Sequence, residues 1–433
     1  MDFLEAAEKL LSIDSSADVG NAYACQFLSS LARELGLESR KESFVEDGVE
    51  QAILYIWRGK NASFDNLFWS NLQTNDPAPY SYWSATDSNP FRLSIQGERV
   101  FGLGANSGKL DFLTRIYALA AMSRDNPSLQ LVGGYGHFLR KEGAKQFVKN
   151  LDGQVKLLVV SEPSSMEWNT NYSGRVVVRI LLPFSETEKS IRKKYFSDEV
   201  TATQTKIFHA EPHFSFHANY KNEVLKQTQA FLEKLPSNSI LLNIEWGDSP
   251  YLHPAEGMVE MDLSDSKEQD LKSRLLGVFE SVEEIFDRRF SKYIKKYDLE
   301  DFPTYNLGFL RTIDEGIEIE GCFYLTHGVD LERVKTWLAP LSQQQAQINI
   351  QHFHAPNKWH STLDILRGLY PEAVINTKLQ HIPSDTSYFL AKGLPAVGFG
   401  SGKSSGFRLM NEYNELNQIQ QAKNVYQDIF ERL

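Results

Sequence analysis

Trp83–Lys109 reads WSATDSNPFRLSIQGERVFGLGANSGK. The glycine pair Gly102 and Gly104 stands just ahead of an apolar helical stretch, Phe112–Met122. No third glycine follows at dinucleotide-binding spacing, so a nucleotide loop is not indicated. Around this stretch short apolar runs alternate with helical ones. Phe3, Leu4, Ala7, Leu10 and Leu11 form one helical stripe, and Phe27, Leu28, Leu31 and Leu35 form another, closed by Gly36. Ile53–Trp57, Leu67–Trp69, Leu129–Val132 and Leu157–Val160 are apolar enough for buried strands. Such alternation predicts an α/β domain with a sheet sandwiched by helices.

The middle third changes character. Val176–Leu182, Ile207–Ala210, Ile240–Trp246, Tyr305–Leu310 and Ile317–Tyr324 read as strands, with helices near Asn222–Leu235, Glu268–Tyr297 and Asp330–Leu341. Two helices against about four strands is a ferredoxin-like α+β pattern, here with a long charged helix added. After Pro356 the α/β character returns: a helix near Ser361–Leu369, a strand at Pro395–Phe399 and a last helix from Asn417 to Leu433. The expected organisation is an α/β domain in two parts, 1–174 and 356–433, interrupted by an inserted α+β lid at 175–355.

Composition narrows the function classes. The 433 residues are 42% hydrophobic and 23% charged, as in an ordinary globular chain. Forty-five basic and 56 acidic side chains leave a net charge of −11, which speaks against tracking a phosphate backbone. The basic cluster Arg288, Arg289, Lys292, Lys295 and Lys296, interleaved with Phe286, Phe290, Tyr293, Ile294 and Tyr297, reads as a solvated helix face. Cys25 and Cys322 lack metal or disulfide spacing and read as reduced, buried thiols. No apolar run reaches the ~20 residues that span a bilayer, and MDFLEAAEKLL carries acids where a signal peptide needs bases. A cytoplasmic protein without membrane or nucleic-acid partners is expected.

Five segments in order resemble one family, the co-catalytic zinc peptidases and amidohydrolases that include aminoacylase, carnosinase and succinyl-diaminopimelate desuccinylase (metallopeptidase family twenty). The family's tryptophan, D-P-F, turn glycine and G-x-G-A-x-D-x-K are matched by Trp83, Pro90, Phe91, Gly97, Gly102, Gly104, Ala105 and Lys109. Glu142–Lys145 (EGAK), Ser161–Ser164 (SEPS), the looser His209–Pro212 (HAEP) and Ser384–Glu412 (SDTSYFLAKGLPAVGFGSG, then NEY) complete the series. The resemblance covers nearly the whole chain. It implies a dinuclear zinc site in the outer domain and an inserted lid that often mediates dimerisation.

The chain departs from that pattern where metal would bind. The family's H-x-D falls on Asn71–Leu72–Gln73, its bridging Asp on Ser107, its paired glutamates on His137 (base) and Phe138 (ligand), and its last His on Arg408. Of the implied ligand positions only Glu162 still carries a metal-binding side chain. Amides and a hydroxyl bind zinc poorly, Phe not at all, and Arg repels it, so no zinc cofactor is expected. Removing the dications would leave unpaired buried carboxylates, and an Arg408–Glu162 ion pair is expected to balance the one that remains.

Other readings stay open. Asn71, Gln73, Ser107, His137, Glu162 and Arg408 could line a ligand pocket, or be ordinary polar residues at strand ends. If activity survives, His137, Glu162 and His209 are its candidates, His209 as an oxyanion stabiliser whose register is blurred by His213 and His217. Asp385 matches a family position near the site, and a helix N-cap before Thr386–Lys392 explains it as well. His352, His354, His360 and His381 lack ligand spacing. No G-x-S-x-G elbow is present. The reading favoured is a pseudoenzyme that binds a small amino-acid-like ligand or a protein partner, the partner being a second copy or an active relative docked through the lid. The alternative is a peptide or N-acyl amino acid hydrolase, or a biosynthetic enzyme, with a rebuilt mononuclear or metal-free site.

Overall fold

The computed structural model describes every residue except 61–62, 64, 78, 107, 137–140, 152–153, 198–202, 212, 216–221, 238, 264–269, 287–304, 359–360, 381–383 and 404–409. The basic cluster at 288–297 therefore lies outside the described residues. The chain divides into two compact units, Met1–Tyr172 with Asn357–Leu433, and Ser173–Pro356.

The first unit is built on an eight-stranded mixed sheet. Its spatial order is Glu38–Glu46, Val49–Arg58, Asn126–Gly134, Asn66–Asn71, Leu157–Ser161, Ala396–Phe399, Trp168–Asn169 and Ile375–Asn376. The central strands are parallel: Asn66–Asn71 runs beside both Asn126–Gly134 and Leu157–Ser161, and Ala396–Phe399 beside Leu157–Ser161. Their apolar runs are continuous because both faces are covered. Leu54, Ile56, Phe68, Leu157 and Val159 pack into one core, and the alternate residues Ile53, Tyr55, Leu67, Trp69, Leu158 and Val160 into the other. The first core takes in helices Phe3–Leu11, Ala22–Glu34, Lys109–Ala120 and Leu416–Arg432, and the second takes in Glu142–Lys149 and Asp385–Ala391.

The edge strand Glu38–Glu46 escaped the sequence reading. It forms a hairpin with Val49–Arg58 across Asp47–Gly48, both at positive φ (50° and 82°). That is the Asp-Gly pattern of a tight hairpin. The strand's charged side chains are largely exposed, so it carries little apolar signal.

The second unit holds a seven-stranded sheet in the order Thr203–His209, Glu256–Asp262, Ile240–Trp246, Tyr305–Thr312, Gly316–Leu325, Gly174–Pro183 and Gln347–His354. Every pairing between neighbours is antiparallel. The α+β character is as expected, but the sheet exceeds four strands. Glu256–Asp262, Gln347–His354 and the helix Glu186–Ser197 carry too few apolar residues to stand out in sequence. Cys25 and Cys322, one in each unit, are both free and buried, and burial pushes each thiol up to about 12. No described helix is long and apolar enough to cross a membrane.

Candidate functional site

The parallel strands end together, and ligands of α/β sheets bind at such carboxyl ends. Asn71 closes the strand Asn66–Asn71, and Gly136 follows the strand ending at Gly134. Asn71 Nδ2 donates to the Gly136 carbonyl (2.8 Å), and Gln73 Oε1 accepts from the Gly136 amide (2.9 Å). Asn71 Oδ1 accepts from the Gln73 amide (3.0 Å). The two side chains at the H-x-D positions thus staple one loop to the next through both backbone groups of Gly136. Gly136 sits at φ +116°, and a Cβ there would press on the Glu142 and Gly143 amides at 3.0 Å.

Glu162 follows directly on the strand Leu157–Ser161 and is only 5% exposed. Its carboxylate is enclosed by neutral donors. Tyr172 Oη donates to both oxygens (2.9 Å each) and Asn169 Nδ2 to Oε2 (3.1 Å), while the Ser384 and Thr386 hydroxyls donate to Oε1. Among the described residues no cation pairs with it, and Arg408 lies outside them. Burial raises the Glu162 pKa despite these hydrogen bonds, because desolvation penalises the charged form more than the neutral donors favour it. Gly398, on the neighbouring strand, has no room for a side chain: a methyl there would fall on Glu162 Oε2 and the Tyr172 hydroxyl. Gly398→Ala is expected to cost about 2–3 kcal/mol by overpacking. A denaturant midpoint unchanged from wild type would show that this pocket is looser than described.

Asp385 is not the helix N-cap. Ser384 holds that place and accepts from the Thr386 amide. Asp385 begins the helix, where its carboxylate is free of the capping role. It pairs with buried Lys141 (Nζ–Oδ1 2.9 Å) and accepts from Trp69 Nε1 (2.8 Å). Sequence reasoning missed Lys141. It precedes EGAK but lies at φ +59°, in the left-handed region, which nothing in local spacing announces.

The glycine-rich stretch is held from the far end of the chain. Glu412 accepts from the amides of Gly104 (3.3 Å) and Asn106 (2.9 Å). Lys109 is buried beside it, its Nζ donating to the Ile13 carbonyl (2.5 Å). Burial pushes this lysine down to about 7, although Asp14 and Glu412 resist the shift. Two residues on, Asp111 pairs with Arg115 (2.8 Å) in full burial.

His209 is exposed on an edge strand of the second unit, with Nδ1 3.3 Å from Glu256 Oε2, its cross-strand neighbour. Such an exposed pair contributes little. His352 and His354 lie on the opposite edge strand. Ser107, His137, Phe138, Arg408, His217, His360 and His381 fall outside the described residues, and so does the expected Arg408–Glu162 pair.

Among the described residues no group of three or more His, Cys, Asp or Glu is placed to hold a metal ion. The amides at 71 and 73 are engaged with Gly136, and both Glu162 oxygens already accept from neutral donors.

The sequence matches no protein-family model and no curated protein. Solved structures do match, over nearly the full length. Human carnosine dipeptidase 1 aligns with TM-score 0.55 at 13% identity, covering 99% of this chain and 95% of that one. An aminoacylhistidine dipeptidase from Vibrio alginolyticus gives 0.53 at 13% identity, covering 99% and 96%. An M20 family metallo-carboxypeptidase from Sulfolobus solfataricus gives 0.52 at 13% identity, covering 100% and 99%. The fold is that of the M20 metallopeptidases.

Proposed function

We propose that this chain, with its M20 metallopeptidase fold, is a binding protein that does not carry out two-zinc hydrolysis. The observation that carries the reading is the state of Glu162. In a zinc peptidase a carboxylate at this position would offer its lone pairs to a dication. Here Tyr172, Asn169, Ser384 and Thr386 take them. All four donors are neutral, so they occupy the carboxylate's lone pairs without supplying an opposite charge. Asn71 and Gln73 support the same reading, since amides are poor zinc ligands and both are used to hold Gly136. The occupant we favour is a small amino-acid-like ligand or a protein partner, the latter a second copy or an active relative engaged through the inserted unit. No specific observation favours a rebuilt hydrolytic site.

The test is the metal content of protein purified without chelator, then zinc titration calorimetry and a hydrolysis screen with dipeptides and N-acyl amino acids. The expected result is no co-purified metal, zinc binding weaker than about 1 μM, and no turnover. One or two tightly bound equivalents, or metal-dependent turnover, would overturn the proposal.

A further inference from the structure

The second unit contains a cavity of about 430 Å³ whose lining shares no residue with the candidate site described above. One wall is the helix Glu186–Ser197, which presents Lys189, Arg192 and Lys193 at i, i+3 and i+4. The opposite wall is the sheet. There Asn243 and Glu260 are cross-strand partners, and Asp314 sits in the turn that closes Tyr305–Thr312 onto Gly316–Leu325. Phe184 lies beside the helix, with the Arg192 guanidinium 4.4 Å from its ring centroid.

The two walls carry opposite charge, and the Asp314 and Glu188 carboxylates favour the charged form of Arg192 against its burial. Lys189 pairs with Glu186 on its own helix (2.8 Å), an exposed contact that a ligand can displace at little cost. Arg192 is committed: it donates to the Leu242 carbonyl and lies on Phe184. Among the described residues neither the Lys193 nor the Glu260 side chain takes part in an ion pair or hydrogen bond. Lys193 on one side and Glu260 on the other line a space of ligand size, which suits an occupant that is itself bipolar.

We propose that this cavity binds a zwitterionic ligand, a free amino acid or short peptide, with its carboxylate toward Lys189 and Lys193 and its ammonium toward Glu260 and Asp314. Arg192, pinned to the sheet and stacked on Phe184, forms the rigid part of the wall. The cavity is lined by residues of the second unit alone, so the proposal does not depend on how the ends of the parallel strands are used.

The experiment is calorimetric titration of the full chain with alanylalanine as probe, beside acetylalanine (carboxylate alone), alaninamide (ammonium alone) and inorganic phosphate. The dipeptide is expected to bind at least tenfold more tightly than either half-ligand. Lys193→Ala and Glu260→Gln, both surface changes that leave the folded core untouched, should each weaken it by tenfold or more. Phosphate binding as tight as the dipeptide and indifferent to Glu260→Gln would overturn the proposal in favour of a simple anion groove. Absence of binding by any probe would overturn it outright. Dipeptide binding unaffected by both variants would also overturn it while leaving the binding-protein reading standing.

Discussion

Arg115→Met is expected to destabilise the protein by about 3–5 kcal/mol, the cost of leaving a buried charge without its partner. Arg115 is fully buried and pairs with Asp111, itself nearly so, at 2.8 Å. One guanidinium nitrogen donates to the carbonyls of Trp69 (3.0 Å) and Val159 (3.3 Å), and the other to Tyr426 Oη (3.1 Å). Tyr426 in turn donates to Asp111 Oδ1 (2.8 Å), and its ring lies 4.8 Å from the guanidinium carbon. The arginine thus ties two parallel strands to the helices Lys109–Ala120 and Leu416–Arg432. Methionine fills much of the volume, so the loss is chiefly electrostatic. The double variant Asp111→Leu with Arg115→Met should recover a large part of it, because an apolar pair removes both charges together. Denaturant unfolding of the three proteins measures this. A single-variant cost below about 1 kcal/mol, within the range of an exposed pair, would show that the network does not carry the load assigned to it.

The second large effect is a pH dependence centred on Lys109. Its folded pKa is lowered from 10.5 to about 7 by burial. Between those values the unfolded chain binds more protons than the folded one, so stability rises with pH across that window. The penalty is fully present below pH 7 and is gone above the unfolded pKa. A shift of this size corresponds to about 4–5 kcal/mol. Lys109→Met removes the titration while keeping an unbranched side chain of similar length. The wild-type protein should therefore gain stability relative to Lys109→Met as pH is raised from 7 to 10. Paired denaturant titrations at pH 7, 8.5 and 10 give the difference. A constant gap between the two proteins would show that Lys109 keeps an ordinary pKa.

Much of the scaffold was legible because burial on both faces of a sheet leaves a continuous apolar run. Ile53–Trp57, Leu67–Trp69, Leu129–Val132 and Leu157–Val160 all lie within observed strands. The elements that went unread have little apolar content. Glu38–Glu46 and Gln347–His354 are edge strands with largely exposed side chains, and Glu186–Ser197 is a charged helix. The capping error at Asp385 is of another kind. Ser384 and Asp385 are both good N-caps by chemistry, and only the pull of Lys141 and Trp69 assigns Asp385 elsewhere.

The sequence alone determined the order of motifs around the glycine pair, and with it the fold. It also determined that amides stand at positions 71 and 73 and that an acid persists at 162. These are local facts, written in residue identity and spacing. What those side chains do was decided by the tertiary structure. Asn71 and Gln73 hold Gly136, more than sixty residues away in sequence. Ser384 and Thr386 reach Glu162 across 222 and 224 residues. A buried polar group must find a partner wherever the fold supplies one, and local spacing says nothing about donors that chain folding brings from the far end of the molecule.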